Sequence, residues 1–251
     1  MNLSYMKASS PLNPNLSYKS WFSILCESLL HLAFPHICEG CGTDIIPPDH
    51  YLCIQCLSKL PDTHYESHAS NPVEKIFWGR LPITAATSKY YFTKDSILQH
   101  LLHQFKYRGH QRLGLYLGRR MGSMLINNPR FEDVEALVPL PLFPEKERRR
   151  GYNQAMVLCT GINEVWKRPI INDAVVRIRA TESQTKKNRI ERWQNMEDRF
   201  QLKDPLALSH KHVLLIDDVV TTGATLEACG RAILQAENTR LSIATLCIST
   251  S

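Results

Sequence analysis

The stretch Val213-Leu214-Leu215-Ile216-Asp217-Asp218-Val219-Val220-Thr221-Thr222-Gly223-Ala224-Thr225 constrains this chain most. The unbroken apolar run Val213 to Ile216 predicts a strand buried on both faces of a parallel sheet. Two carboxylates end the run. A small, hydroxyl-rich turn follows, and then Leu226, Cys229, Ile233 and Leu234 recur at helical spacing. The order is strand, acidic corner, tight loop, helix. Such a loop gathers backbone N–H groups and the positive end of a helix dipole at one point, which suits a phosphate. Gly223 permits close approach of the backbone, and the hydroxyls of Thr221, Thr222 and Thr225 add hydrogen bonds. Asp217 and Asp218 stand at the carboxyl end of the strand, where open α/β sheets place their ligands. Two acids beside a phosphate cradle repel the phosphate unless a sugar with free hydroxyls, or Mg²⁺, lies between. The ligand class that fits is a sugar 5-phosphate with its ring hydroxyls toward the acids. No Gly-Lys-Ser/Thr closes the loop, so it is not a Walker A loop.

The same stretch resembles the PRPP-binding signature of type I phosphoribosyltransferases. By that resemblance Asp217 and Asp218 hold the ribose hydroxyls of PRPP–Mg²⁺ and are the candidate catalytic residues. Thr221, Thr222, Gly223, Ala224 and Thr225 hold the 5-phosphate.

A second constraint lies near the other end. Cys38-Glu39-Gly40-Cys41 and Cys53-Ile54-Gln55-Cys56 are two Cys-x-x-Cys turns, each able to aim two thiolates at one metal. Together they complete a tetrahedron, and the short segment between them has too few apolar residues to fold without a staple. The expected ion is one structural Zn²⁺. Two disulfides are the competing reading, but no export signal is visible in the polar first twenty residues. His36 and His50 read as bystanders. Cys26, Cys159, Cys229 and Cys247 sit in apolar periodic segments and read as core residues.

At 251 residues the chain can bury a sizeable core in one or two domains. A net charge of +6 favours anionic partners without choosing between phosphate metabolites and nucleic acid. Residues 1–20 read as a disordered tail, and 21–60 as an amphipathic helix ending at Pro35 followed by the four-Cys module. That helix is too short and too interrupted to span a bilayer, so no transmembrane segment is expected and the compartment is taken as cytoplasmic. Residues 61–80, with Pro61, Pro72 and no period, read as a linker, and 81–251 as the α/β domain.

Within that domain, strand or hairpin is expected over 81–92, helices over 96–107 and 111–126, and a short strand over 136–141 ended by proline. Lys146 to Gln154 is a basic turn leading into a helix to about Trp166, a second anion site suited to pyrophosphate. A strand near Val175 precedes a charged, apolar-poor segment to Phe200 of the length of a lid. Lys146, Arg148, Arg149 and Arg150 form one basic cluster, and Lys186, Lys187, Arg189 and Arg192 another. With Tyr152 and Trp193 as stacking rings, the two are a candidate track for single-stranded DNA.

Several motifs occur in an order that resembles the ComF family. They are the four-Cys module, Phe105-Lys106-Tyr107-Arg108-Gly109, and Val138-Pro139-Leu140-Pro141 with Arg150-Gly151-Tyr152-Asn153-Gln154. The Arg177-to-Gln184 run with Arg192 and Asn195 follows, and then the PRPP signature. The match runs from about Leu32 to the C-terminus. It implies a type I phosphoribosyltransferase fold, a parallel sheet flanked by helices, behind a small N-terminal zinc module. It implies PRPP as ligand, with Arg150, Gly151, Arg177, Gln184 and Arg192 as pyrophosphate or lid residues. It also implies a link to DNA uptake in natural transformation, with DNA-uptake machinery proteins as partners. If the chain is catalytic, an unknown acceptor displaces pyrophosphate from C1 of PRPP. The alternatives are a PRPP-binding protein without turnover and a single-stranded-DNA-binding competence factor that retains the fold.

Overall fold

The computed structural model describes residues 37–47, 50–107, 109–178 and 199–249. The tail, the helix expected before Pro35, the body of the lid segment with Gln184 and Arg192, the second basic cluster and Trp193 lie outside the described residues.

Four parallel strands make the central sheet: β1 (Ala86–Phe92), β2 (Ala136–Pro139), β5 (His212–Val220) and β6 (Arg240–Ser249), in the order β1-β6-β5-β2. β3 (Val175–Ile178) and β4 (Arg199–Leu202) form a separate antiparallel pair. The alternation of a strand puts successive side chains on opposite faces, and β5 shows it directly. Leu214 and Ile216 enter one core with Leu137, Ala244 and Leu246, while Val213 and Leu215 enter the other with Val138 and Ile243. Helices cover both faces, which is why the apolar run has no polar side.

The first face packs against α3 (Ile97–Tyr107), α4 (Gln111–Leu125) and α6 (Gln154–Trp166). The expected inward residues of α4, Leu113, Leu117, Met121 and Met124, are all buried. The four cysteines' segment, with α1 (Ile54–Ser58), joins this same core through Cys38, Leu52, Cys53 and Cys56. The second face packs against α8 (Ala224–Ile233) and α2 (Pro72–Phe77), and α7 (Pro205–Leu208) adds Leu208.

Residues 61–80 are not a linker in local structure. They hold a 3-10 turn (Tyr65–Ser67) and α2, whose Val73 and Phe77 are fully buried. Asn71 caps α2, accepting from the amides of Val73 and Glu74, and Pro72 opens it. Six residues are too few to show a period in sequence. The basic turn expected at 146–150 is likewise a helix, α5 (Pro144–Arg150), closed by Gly151 at φ 82°.

α4 and α6 approach until their backbones touch. A Cβ on Gly118 would lie 2.5 Å from the carbonyl oxygen of Leu158, and one on Gly161 would strike the carbonyl oxygen of Leu115. Backbone atoms cannot move aside as a flexible side chain can. Gly161→Ala should therefore destabilise the protein by about 1–3 kcal/mol, whereas Ser123→Ala on the exposed side of α4 should stay within about 0.5 kcal/mol. Urea unfolding of the two variants checks this.

Candidate functional site

β5 runs past Ile216 to Val220, so Asp217 and Asp218 lie within the strand and not at its corner. β6 continues beside them, pairing Asp217 with Thr245 and Val219 with Cys247. On the other side β2 stops at Pro139, opposite Ile216. The chain then leaves as Leu140-Pro141-Leu142, and a pocket of about 240 Å³ opens over the acids. This is the crevice at strand carboxyl ends that an open α/β sheet offers a ligand.

Asp217, Asp218 and Thr225 line the pocket from one side. Lys106, Lys146, Arg150 and Arg177 line it from the others. Lys106 Nζ lies 2.8 Å from Asp218 Oδ2. Burial, and then the charge of Asp218, push Asp217 up to about 8, against the opposing pull of the Asp218 amide, Lys106 and Arg177. Among the described residues four cationic side chains thus surround the two carboxyls, one of them pushed toward its neutral form, a balance that favours a polyanion. Arg150 Nε has no hydrogen-bond partner among the described residues, and the Gln154 amide nitrogen, on a side chain only 3% exposed, has only the Tyr152 hydroxyl near it.

Local structure aims these groups. α5 brings Lys146 and Arg150 to the pocket and leaves Arg148 and Arg149 exposed. Arg150 donates to Gln154 Oε1 at 2.7 Å. Arg177, in β3, stacks 4.2 Å from the Phe143 ring and 5.4 Å from Phe200. Tyr152 does not serve as a stacking ring for bases. It is buried against Phe105, and its hydroxyl donates to the Phe105 carbonyl oxygen.

The turn Thr221 to Gly223 leads into α8, whose first residues are Ala224 and Thr225, and the Thr222 hydroxyl accepts from the Ala224 amide at 3.5 Å. Gly223 sits at φ 74°, and a Cβ there would lie 2.5 Å from Ile76 Cγ2 and 3.0 Å from Phe77. Arg80 completes the brace, donating to the carbonyl oxygen of Thr222 at 2.9 Å and to Glu227 at 2.9 Å. The 72–80 segment therefore backs the loop, a role that its sequence does not announce. Lys106 was legible only as a basic helix end and as part of the Phe105-to-Gly109 motif. Thr225 borders the pocket, and Thr221 borders the cavity beside it. Thr222 and Gly223 form the turn between them, and Ala224 opens α8.

The sulfur atoms of Cys38, Cys41, Cys53 and Cys56 lie within 4.8 Å of one another. Backbone amides of Cys53 and Gly40 donate to Cys38 Sγ at 3.2 and 3.4 Å. Although burial opposes it, these amides bring the Cys38 thiol down to about 7, which favours the thiolate that a metal requires. The donor set fits a tetrahedral metal ion with no position left for chemistry. The module also braces the site: Gln104 donates to the carbonyl oxygen of Glu39 at 3.2 Å, two residues before Lys106.

A family profile described as "Phosphoribosyl transferase domain" matches residues 168–250. The chain is 28% identical over 216 residues to "Competence protein F" of Haemophilus influenzae, covering 84% of this chain and 90% of that one. It is 28% identical over 227 residues to "DNA utilization protein YhgH" of Escherichia coli K12, covering 89% and 95%. It is 27% identical over 213 residues to "Competence protein ComFC" of Bacillus subtilis, covering 84% and 76%.

The elevated Asp217 has a consequence for stability. Its carboxyl rises from an ordinary 3.8 to about 8 on folding, so the native state holds the proton more tightly than the unfolded chain. That contribution is fully present below about 3.8 and is lost as pH climbs through about 8. The melting temperature of the protein without added ligand should therefore fall between pH 5 and 8.5 more steeply than that of Asp217→Asn. Parallel profiles would contradict the buried, protonated carboxyl.

Proposed function

We propose, for a chain that belongs to the ComF family and carries a phosphoribosyltransferase domain, that its pocket binds PRPP–Mg²⁺ and serves phosphoribosyl transfer in DNA uptake. The observation that carries this reading is the joining of an acidic pair, Thr225 in the first turn of α8 and the basic residues of α5 around one pocket. The Thr221–Thr225 loop receives the 5-phosphate, Asp217 and Asp218 the ribose hydroxyls, and Arg150, Arg177 and Lys146 the pyrophosphate. Gly151 ends the helix that delivers Arg150. Gln184 and Arg192 are proposed for the lid.

Mg²⁺, bound with PRPP, would supply charge neutralisation of the leaving pyrophosphate. Displacement at C1 passes through a state with positive charge on the sugar ring, as other glycosyl transfers do. The carboxylates of Asp217 and Asp218 lie where they stabilise that charge. A ribose hydroxyl donating to Asp217 would favour its charged form, in the same direction as the pull of Lys106 and Arg177. The 177–200 segment is proposed to close over the site and exclude water, since hydrolysis is the competing reaction.

The cysteine module is proposed to hold one structural Zn²⁺, and the working compartment is proposed to be the cytoplasm, where thiols stay reduced. Among the described residues no helix is long and apolar enough to cross a membrane. The tail, helix-plus-module and α/β division of the chain is proposed with it.

Exposed Arg148 and Arg149 favour a second reading, in which α5 also meets a nucleic-acid backbone. Retention of a single-stranded oligonucleotide at two salt concentrations tests it. The Arg148→Ala, Arg149→Ala double variant should flatten the salt dependence, and identical slopes would leave these residues as surface charge.

Two measurements test the main proposal. Calorimetry should show PRPP–Mg²⁺ binding that falls more than tenfold in the Asp217→Asn, Asp218→Asn protein, since each charged hydrogen bond is worth roughly 1.5–3 kcal/mol. Undiminished affinity would remove the acids from the site. Metal analysis should find one zinc per chain, and its removal by a chelator should lower the melting temperature, because Cys38, Cys53 and Cys56 belong to the main core. Disulfides in place of zinc would reject that assignment.

A further inference from the structure

Thr221, Thr222 and Gly223 turn the chain from β5 into α8. Gly223 stands at φ 74° and ψ 0°, the angles of the third residue of a type II turn. The mirror-image type I′ turn needs a positive φ at the second residue, and Thr222 is not among the residues with positive φ. A type I turn of the same span differs by a half rotation of its central peptide, here the one joining Thr222 to Gly223. Glycine takes either sign of φ at little cost, so its own backbone does not choose between the two forms. Its neighbours choose. Arg80 Nη1 donates to the Thr222 carbonyl oxygen at 2.9 Å and to that of Ile76 at 3.1 Å. Arg80 Nε and Nη2 hold Glu227 Oε2 at 2.9 and 2.5 Å. Arg231 closes the frame, its Nη2 lying 2.9 Å from Glu227 Oε1 and 2.7 Å from the Arg80 carbonyl oxygen.

We infer that Arg80 is a positioning residue for the phosphate end of the site: it locks the Thr222–Gly223 peptide with its N–H toward the ligand and its carbonyl away. The inference rests on the reading of this turn as the holder of the 5-phosphate. In a trans peptide the C=O and the following N–H point in opposite directions. By drawing the Thr222 oxygen to itself, Arg80 turns the Gly223 N–H the other way. Ile76, Phe77 and Arg80 border neither the acid pocket nor the cavity beside it, whereas Thr225 borders the first and Thr221 the second. The N–H therefore faces the ligand side. Flipped, the same peptide would set a carbonyl oxygen against the phosphate oxygens and withdraw one donor. A phosphate and Arg80 select the same form, and a turn already held in its bound form binds more tightly. Glu227 is the acid in the first turn of α8. It anchors Arg80, and its two guanidinium partners offset the charge it would otherwise set against an anion at that helix end.

The test measures ribose 5-phosphate and pyrophosphate binding to the full chain by calorimetry. Arg80→Ala should weaken ribose 5-phosphate at least tenfold, because the charged hydrogen bond that holds the turn is gone. Pyrophosphate, proposed to lie on Arg150 and Arg177, should change less than twofold, which a general folding defect would not permit. Arg231→Ala takes a cation from Glu227 but leaves Thr222 held, and should cost less than threefold. Arg80→Lys keeps the charge and a donor, and should bind ribose 5-phosphate at least threefold more tightly than Arg80→Ala. Unchanged ribose 5-phosphate affinity in Arg80→Ala, an equal loss in Arg231→Ala, or an equal loss of pyrophosphate would each overturn the inference. A wild-type chain that binds pyrophosphate but no ribose 5-phosphate would instead sink the sugar-phosphate reading of the turn, and the inference with it.

Discussion

The site exists because β2 ends where β5 and β6 go on. Pro139 is the last paired residue of β2, and the Leu140 amide still reaches the carbonyl oxygen of Ile216. Beyond that point the chain turns away through Pro141. Asp217 and Asp218 are then supported by β6 on one side and open on the other. Had β2 continued, the acids would be covered and their burial uncompensated. Every other part of the site is arranged around that opening: α3 above it with Lys106, α5 across it with Lys146 and Arg150, and the threonine loop beyond it.

The opening also explains the charges. Two adjacent carboxylates in a half-closed space cannot both ionise at little cost. Asp218 pairs with Lys106, while burial and the charge of Asp218 push the Asp217 carboxyl toward its neutral form. Sugar hydroxyls donating to the two acids would satisfy both without placing further negative charge beside them. The four-cysteine module contributes from a distance. It shares the core of α3 and ties Glu39 to Gln104, so a metal in the module steadies the helix that carries Lys106.

Much of this was legible in local patterns. The apolar run before Asp217, the helical spacing after Thr225 and the paired Cys-x-x-Cys turns each state their structure within a few residues. What was not legible depends on residues remote in sequence. Lys106 meets Asp218 only because α3 folds over the strand ends. Arg80 and α2 looked like linker because Val73 and Phe77 make a single buried turn, although Asn71-Pro72 is a helix-start signal. Tyr152 reads as an exposed ring in a basic stretch, but its neighbour Gly151 turns it inward onto Phe105. The extension of β5 through two acids ran against strand propensity and was decided by pairing with β6.

The central claim is that a sugar phosphate lies between the β5 acids and the threonine loop. A crystal structure with PRPP–Mg²⁺ tests it most directly. The 5-phosphate should lie on the amides of residues Thr221 to Thr225, the ribose hydroxyls on Asp217 and Asp218, and the Lys106–Asp218 contact should be lengthened or broken. PRPP seated away from the acids, or crystals that exclude it at saturating concentration with the pocket unobstructed, would contradict the account.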